Sequence, residues 1–384
     1  MATREVVASP ELGFGNPTDE QLMETYRVPA FSLPYPVVIN PAYSTSVFKE
    51  KVDQWLQHRK VNTVFSPQIY QMLVSMDVCG LVARVYSEVP QSGLEWAWKF
   101  FLMLWIWDDT LDCTEIGECP EKALSPLLEV HLMMLWSFPD DPVLRTQLKP
   151  ILNHFEGQAR EEKVRYIESV LEEARSQPGT VYSKPTTGVI SDIFLELWKD
   201  VTESASSEFC LRLAHAYNRW CLGCLRETEF RKLKTVPSLA DYLQIRKGSS
   251  GLTPVMTVVD FIYGLNSPDS WFYSAEMQSI MEAINDIVAW HNDLWSFKRE
   301  VLVAKDKFNI VLAISIDRKV SYTEAAQITT QIMYDRITDL ENAGKDLELV
   351  TPPEFQRNFE VYMRTCRDWI SGSYDWHSKS ARYQ

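Results

Sequence analysis

Three oxygen donors of different kinds recur at four-residue spacing in Asn292-Asp293-Leu294-Trp295-Ser296-Phe297-Lys298-Arg299-Glu300: the Asn292 amide, the Ser296 hydroxyl and the Glu300 carboxylate. On an α-helix, positions i, i+4 and i+8 drift by about 40° per step and span roughly 12 Å. The three therefore line one stripe. Hard oxygen donors in a stripe suit Mg²⁺, which prefers oxygen and keeps several of its waters. A second oxygen cluster, Asp108-Asp109-Thr110-Leu111-Asp112, lies far upstream. Two such helices facing each other can hold several Mg²⁺ ions with a diphosphate between them.

Acidic residues at helical spacing are more often a solvated face carrying (i, i+4) charge pairs. For Asp108 to Asp112 the context argues otherwise. The run Phe100-Phe101-Leu102-Met103-Leu104-Trp105-Ile106-Trp107 leads straight into the cluster and must be buried nearly all round. Carboxylates one turn beyond it sit at the mouth of a core, where unpaired charge is costly. They need a cation.

The elements that must carry these groups read as helices throughout. Of 384 residues, 46% are hydrophobic and 23% charged, an ordinary soluble composition. Only 14 are glycine, which with long periodic segments favours helix over turn-rich β structure. Residues 1–40 hold scattered Pro and Gly with little periodicity and read as an arm laid over the surface or a partly disordered tail. Helices are expected near 46–60, 67–78, 80–88, 93–112, 122–138, 143–154, 157–175 and 189–197. Further ones follow near 207–232, 274–302, 306–316, 322–341 and 353–370. Between them, Ser238 is placed as the N-cap of a helix through Tyr242 and Arg246. Gly248-Ser249-Ser250-Gly251 must interrupt that helix, and a new one starts near Pro254. The expectation is an all-α protein: an irregular arm, 1–40, and one helical domain, 41–384.

Net charge and cysteines bound the partners. A formal charge of −14 argues against nucleic acid and anionic membrane as partners. No stretch has the apolar length of a membrane anchor. The start, Met1-Ala2-Thr3-Arg4-Glu5, shows no signal or transit peptide, so the expected compartment is cytoplasmic. The seven cysteines are scattered, and Cys221-Leu222-Gly223-Cys224 lacks a second pair, so they read as structural thiols. His291, about 100° around the helix from Asn292, reads as structural, and His215 as a core histidine.

At this point the motifs resemble the class I terpene synthases. The aspartate-rich motif of that family stands as Asp108-Asp109-Thr110-Leu111-Asp112. Its second motif, (N/D)DLx(S/T)xxxE, stands as Asn292, Ser296 and Glu300. A diphosphate-sensing arginine some 46 residues before that Asn falls on Arg246. An Arg-Tyr pair near the C-terminus is Arg382-Tyr383, with Trp376 six residues before Arg382. Four marks in order cover residues from about 100 to 384, and length resembles the microbial, especially fungal, single-domain sesquiterpene synthases. Two departures stand out: Arg299 replaces the usual Lys before Glu300, and Ser249-Ser250 replace an Asp-Gly pair common in bacterial members.

The resemblance implies a single-domain class I helical bundle with a central cavity. It implies metal-dependent ionisation of an allylic prenyl diphosphate followed by cyclisation, with three Mg²⁺ ions and Mn²⁺ as a substitute. Asp108, with Asp112 one turn on, would take metal from the first helix, while Asp109 would bond a basic neighbour. Asn292, Ser296 and Glu300 would chelate metal from the second. Arg246, Arg299, Arg382 and Tyr383 would donate to the diphosphate. Phe101 and Trp376 would face the carbocation, and Phe100, Phe101, Trp105 and Trp107 would crowd one cavity wall. Farnesyl diphosphate is the expected substrate and geranylgeranyl diphosphate the alternative, with the enzyme a monomer or homodimer. The rival readings are a chain-elongating prenyl diphosphate synthase, which would show a second Asp-rich motif, and a non-catalytic helical scaffold.

Overall fold

The computed structural model describes residues 19–63, 65–112, 120–186, 188–233 and 235–383, and all regular structure among them is helical. In chain order the helices are α1 (Asp19–Thr25), α2 (Thr45–His58), α3 (Pro67–Ser75), α4 (Val78–Val85), α5 (Gln91–Asp112), α6 (Pro120–Ser137), α7 (Pro142–Leu152), α8 (Gly157–Ser176), α9 (Val189–Ser204), α10 (Ser207–Leu233) and α11 (Leu239–Ser249). Then come α12 (Leu252–Thr257), α13 (Val259–Tyr263), α14 (Asp269–Phe272), α15 (Ala275–Phe297), α16 (Ile310–Arg318), α17 (Tyr322–Val350) and α18 (Gln356–Lys379).

Local chemistry sets the boundaries that matter for the site. Ser238 caps α11 as expected, its hydroxyl accepting from the Asp241 N–H at 3.1 Å. The break after α11 turns on Gly251, whose φ of +76° suits glycine alone. α15 departs from the expectation. It is α-helical only to Phe297, and Lys298–Val303 continue as π-helix, with the Ala304 N–H reaching the Arg299 carbonyl. Such wider turns concentrate at functional sites, and this one carries Glu300. α16 starts at Ile310 rather than 306, because Asn309 caps it through the Val311 N–H. α18 runs nine residues past the expected end, which carries Trp376 and His377 on a helix.

One continuous apolar core extends from Leu22 to Trp376. α15 lies along α17 and against α18, crossing α11 and α12; α5 packs against α4, α9, α10 and α13; α18 packs along α4. The described part of the stretch read as an irregular arm, residues 19–40, contains α1 and is packed more deeply than expected. Leu22, Tyr26 and Phe31 are buried, and the Tyr26 hydroxyl donates to the Leu294 carbonyl at 3.1 Å. No described helix is long and apolar enough to cross a membrane.

Candidate active site

Helices α5, α11, α15 and α18 converge on a cavity of about 130 Å³ that brings Asp108, Arg246, Asn292, Phe101, Trp105 and Trp376 together. Residues from opposite ends of the chain thus share one space. Its aromatic wall is built from α5 and α18. Phe101 stacks on Trp369 with centroids 5.8 Å apart, and Trp105 lies 5.6 Å from Trp376. Trp376 is fixed by its indole N–H, which donates to the Asp77 carbonyl at 2.8 Å.

The expected crowding is only half realised. Phe101, Trp105 and Asp108, at i, i+4 and i+7, share the inward face. Phe100 points elsewhere, stacked on Trp96 at 5.1 Å and near Tyr217, and Trp107 is buried outside the cavity lining. Trp369 and Trp220, which no sequence motif marked, complete the wall instead.

The polar end is organised around Arg246. Its Nη2 donates to Asn292 Oδ1 at 3.0 Å and to Asp293 Oδ1 at 2.7 Å. Asp293 is buried, and its other oxygen accepts from the Tyr242 hydroxyl at 2.5 Å and the Ile310 N–H at 2.8 Å. Burial pushes the Asp293 carboxyl up, while Arg246, Tyr242 and the Ile310 N–H pull it back toward the charged form. Sequence reasoning passed over this residue, although it stands inside the quoted motif: a carboxylate 100° off the metal stripe points inward to hold the arginine. Glu227 on α10 was also missed. It pairs with Arg231 at 2.9 Å, and burial pushes its carboxyl up to about 7.

Along the stripe, the Ser296 hydroxyl donates to Glu300 Oε2 at 2.6 Å, and Arg299 Nη2 donates to Glu300 Oε1 at 2.8 Å. Asn292 Nδ2 donates to the Tyr383 hydroxyl at 2.9 Å, so the C-terminal turn Ala381–Tyr383 docks on the motif. Arg382 is buried, with Nη1 3.6 Å from the Met72 sulfur. Asp112 closes α5, but its side chain and that of Asp109 lie outside the described residues, as do Cys113 and Cys119.

The donor set fits a hard divalent cation. Adjacent oxygens of a Mg²⁺ octahedron with bonds of 2.0–2.1 Å are about 3 Å apart. The Ser296–Glu300 pair approaches that edge, and Asn292 Oδ1 keeps a second lone pair beyond Arg246. Amide, hydroxyl and carboxylate share the work: among the described residues no three His, Cys, Asp or Glu side chains form a metal cluster by themselves.

The histidines and thiols divide clearly. His291 is buried, accepting from the Trp295 indole at 2.8 Å and stacked on Tyr374, which is the structural role expected. His215 is not a core histidine: it is half-buried and bonds Asp141 at 2.9 Å. Cys79, Cys210, Cys221, Cys224 and Cys366 are free and buried, and burial pushes their thiols up, which keeps them protonated and inert. A larger groove of about 830 Å³ follows the outer face of α10 and α11 past Arg219, Arg226 and Lys247; it includes none of the expected metal or diphosphate residues.

Comparison with known proteins points to one family. The family model for terpene synthase family 2, C-terminal metal binding, matches residues 153–339, a span that holds Arg246 and the whole Asn292–Glu300 motif. The chain is 27% identical over 373 residues to an alpha-gurjunene synthase of Marchantia polymorpha, covering 93% of this chain and 86% of that protein. It is 21% identical to a germacrene A synthase of Nostoc punctiforme, covering 94% and 96%. Over almost its whole length the chain is thus similar to terpene synthases. Solved terpene synthases share its fold. An a-eudesmol synthase superposes with a TM-score of 0.70 over 92% of this chain and all of its own, at 15% identity. A germacradien-4-ol synthase from Streptomyces citricolor gives 0.67 at 20% identity, covering 92% and 99%. The all-α class I terpene synthase fold is therefore established for this chain, and the family model it matches is one of divalent metal binding.

Proposed function

We propose that this protein is a terpene synthase that ionises farnesyl diphosphate and cyclises the resulting cation to a sesquiterpene hydrocarbon or alcohol, releasing diphosphate. The observation that carries the reading is one cavity lined at its polar end by Asp108, Arg246 and Asn292 and at its other end by Phe101, Trp105, Trp369 and Trp376. The catalytic unit is 41–384, with 1–40 as its arm.

In this reading, Asp108 and Asp112 hold metal from α5, and Asn292, Ser296 and Glu300 hold it from α15. Metal held by these residues, three Mg²⁺ ions with Mn²⁺ as a substitute, would supply neutralisation of the charge that builds on the leaving diphosphate. Arg246, Arg299, Arg382 and Tyr383 donate to its oxygens, and the guanidinium groups do so in pairs where geometry allows. Arg246 starts from a fixed position, so less reorganisation is needed as charge develops.

Heterolysis of the C–O bond leaves its electron pair on the diphosphate and an allylic cation in the cavity. The faces of Phe101, Trp105, Trp369 and Trp376 stabilise that cation, at about 2 kcal/mol or more per well-placed ring in a dry site. The buried thiols and the apolar lining offer it no ready nucleophile. Pockets that take ligands of drug size enclose roughly 300–1,000 Å³. The 130 Å³ cavity must widen even for a C15 chain, which favours C15 over C20.

The test is incubation of the purified protein with geranyl, farnesyl and geranylgeranyl diphosphates plus Mg²⁺, followed by analysis of the extract. A cyclic C15 product with the highest kcat/KM for farnesyl diphosphate is expected. In a parallel incubation with isopentenyl diphosphate as five-carbon donor, a longer linear diphosphate as product would make it a chain-elongating synthase. A cyclic C20 product at higher kcat/KM would make it a diterpene synthase.

A further inference from the structure

His377 lines the cavity one residue beyond Trp376, and no part of the reading above uses it. It is buried and enclosed by rings: Tyr383 at 4.7 Å, His291 at 5.0 Å and Trp376 at 5.1 Å between centroids, with Trp295 stacked at 6.5 Å. Both ring nitrogens have a partner. Nδ1 lies 2.6 Å from the Ser373 carbonyl, and Nε2 lies 3.3 Å from Asn292 Nδ2.

The tautomer follows from chemistry. A carbonyl oxygen only accepts, so Nδ1 carries the hydrogen, and in a neutral imidazole Nε2 is then an acceptor. The atom of Asn292 that faces Nε2 must therefore be the NH₂ group. Independently, Arg246 has only donors, so the atom of Asn292 that faces its Nη2 must be the oxygen. The two constraints agree, and together they permit one of the two amide orientations.

We infer that His377 is a positioning residue for the metal site: its Nε2 acceptor locks the Asn292 amide so that Oδ1 is presented to the cation and Nδ2 to Tyr383. The inference rests on the proposed metal-binding role of Asn292. Two consequences follow from one contact. Oδ1, not NH₂, faces the metal stripe shared with Ser296 and Glu300. Because Nδ2 donates to the Tyr383 hydroxyl, that hydroxyl keeps its own hydrogen for the diphosphate. With the amide reversed, Tyr383 would donate to Asn292 Oδ1 instead, and the metal would meet an NH₂ group.

Second partners of this kind orient metal ligands, and their loss weakens metal binding by roughly 10- to 100-fold. The experiment measures binding, not turnover. Mn²⁺ is titrated into the protein with inorganic diphosphate, and bound metal is followed by electron paramagnetic resonance. His377→Phe keeps a ring but removes the acceptor, and it should weaken Mn²⁺ binding at least about 10-fold. His377→Gln restores an acceptor near the Nε2 position and should recover most of that loss. A phenylalanine variant that binds like the parent, or a glutamine variant no better than phenylalanine, overturns the inference. Failure of the parent to bind Mn²⁺ with diphosphate overturns the metal reading itself, so the two failures are distinct. A measurement needing no variant stands beside these. Long-range ¹H–¹⁵N correlation on histidine-labelled parent protein should show His377 as the Nδ1–H tautomer, and an Nε2–H signature would refute the lock.

Discussion

Replacing Gly223 by alanine should cripple catalysis by moving a helix rather than by removing a catalytic group. Gly223 lies where α10 crosses α11 at its closest. A Cβ there would meet the Gly248 carbonyl carbon at 2.5 Å, the Ser249 nitrogen at 2.7 Å and the Gly248 oxygen at 2.8 Å. All three are backbone atoms, so no side chain can rotate away. Unstrained carbon pairs sit about 3.5–4.0 Å apart, so the helices must separate by about 1 Å. The segment displaced carries Arg246 two residues before Gly248. It also carries the Ser249 carbonyl, which accepts from the Trp220 indole at 3.2 Å. A misplacement of about 1 Å can cost roughly 100-fold in rate, and overpacking costs typically 1–3 kcal/mol of stability. The expected result is a folded Gly223→Ala protein, its Tm lower by several degrees, with kcat/KM for farnesyl diphosphate down about 100-fold at saturating Mg²⁺. Gly248→Ala is the matched control. Its Cβ would meet nothing closer than Gly223 Cα at 3.5 Å, an ordinary contact, and activity should survive. Near-parental activity in Gly223→Ala, or equal damage in Gly248→Ala, would refute the steric argument.

Asp108→Asn and Glu300→Gln keep shape and remove one charge from each of the two segments proposed to hold metal. Each should lower turnover by orders of magnitude with circular dichroism unchanged; a variant matching the parent at saturating Mg²⁺ would remove that helix from the metal site. Asp368 gives a stability prediction with a defined sign. Burial pushes its carboxyl up to about 6, opposed by the Ser87 hydroxyl and N–H, against about 3.9 in an unfolded chain. The folded state then holds this proton more tightly, so the contribution is full below pH ~4 and lost as pH rises to ~6, worth at most about 3 kcal/mol. Urea unfolding at pH 4 and 7 should show the parent losing about 2–3 kcal/mol relative to Asp368→Asn; parallel behaviour would contradict the assignment.

Helices and motifs were legible in the sequence because both are local. The i, i+4, i+8 oxygens and the apolar run before Asp108 needed no knowledge of the fold. The errors arose where a distant partner decides. Helical spacing alone separates Phe101 and Trp105 from Phe100 and Trp107, but which face meets the cavity depends on Trp369 and Trp376 from α18. The late start of α16 follows from Asn309, whose Nδ2 also donates to the Asp293 carbonyl at 3.0 Å, tying that cap to α15. His377 carries no motif, and its acceptor matters only because Asn292 lies across the cavity end from it. In the arm, Leu22, Tyr26 and Phe31 stand among scattered Pro and Gly without a sustained helical period, so nothing local announced their burial against α15.

Asp293 shows why a chain of net charge −14 can attract a diphosphate at all. A buried ion pair is weak evidence for stability, since desolvation can exceed the Coulombic gain. The Arg246–Asp293 pair is therefore poorly explained as a device for holding the fold. It is well explained as a device for holding the arginine. Tyr242 from α11 and the first N–H of α16 fix the carboxylate, and the carboxylate fixes the guanidinium beside Asn292. Arg299 is held against Glu300 in the same manner. In both cases the acid needed to organise the cation sits within the Asn292–Glu300 motif itself. Divalent metal on Asn292, Ser296 and Glu300 would then bring positive charge to an acidic stripe that already has two arginines in place. With metal bound, the local field in the cavity would reverse sign although the chain as a whole is acidic, so the attraction for diphosphate would depend on metal being present first or arriving with it.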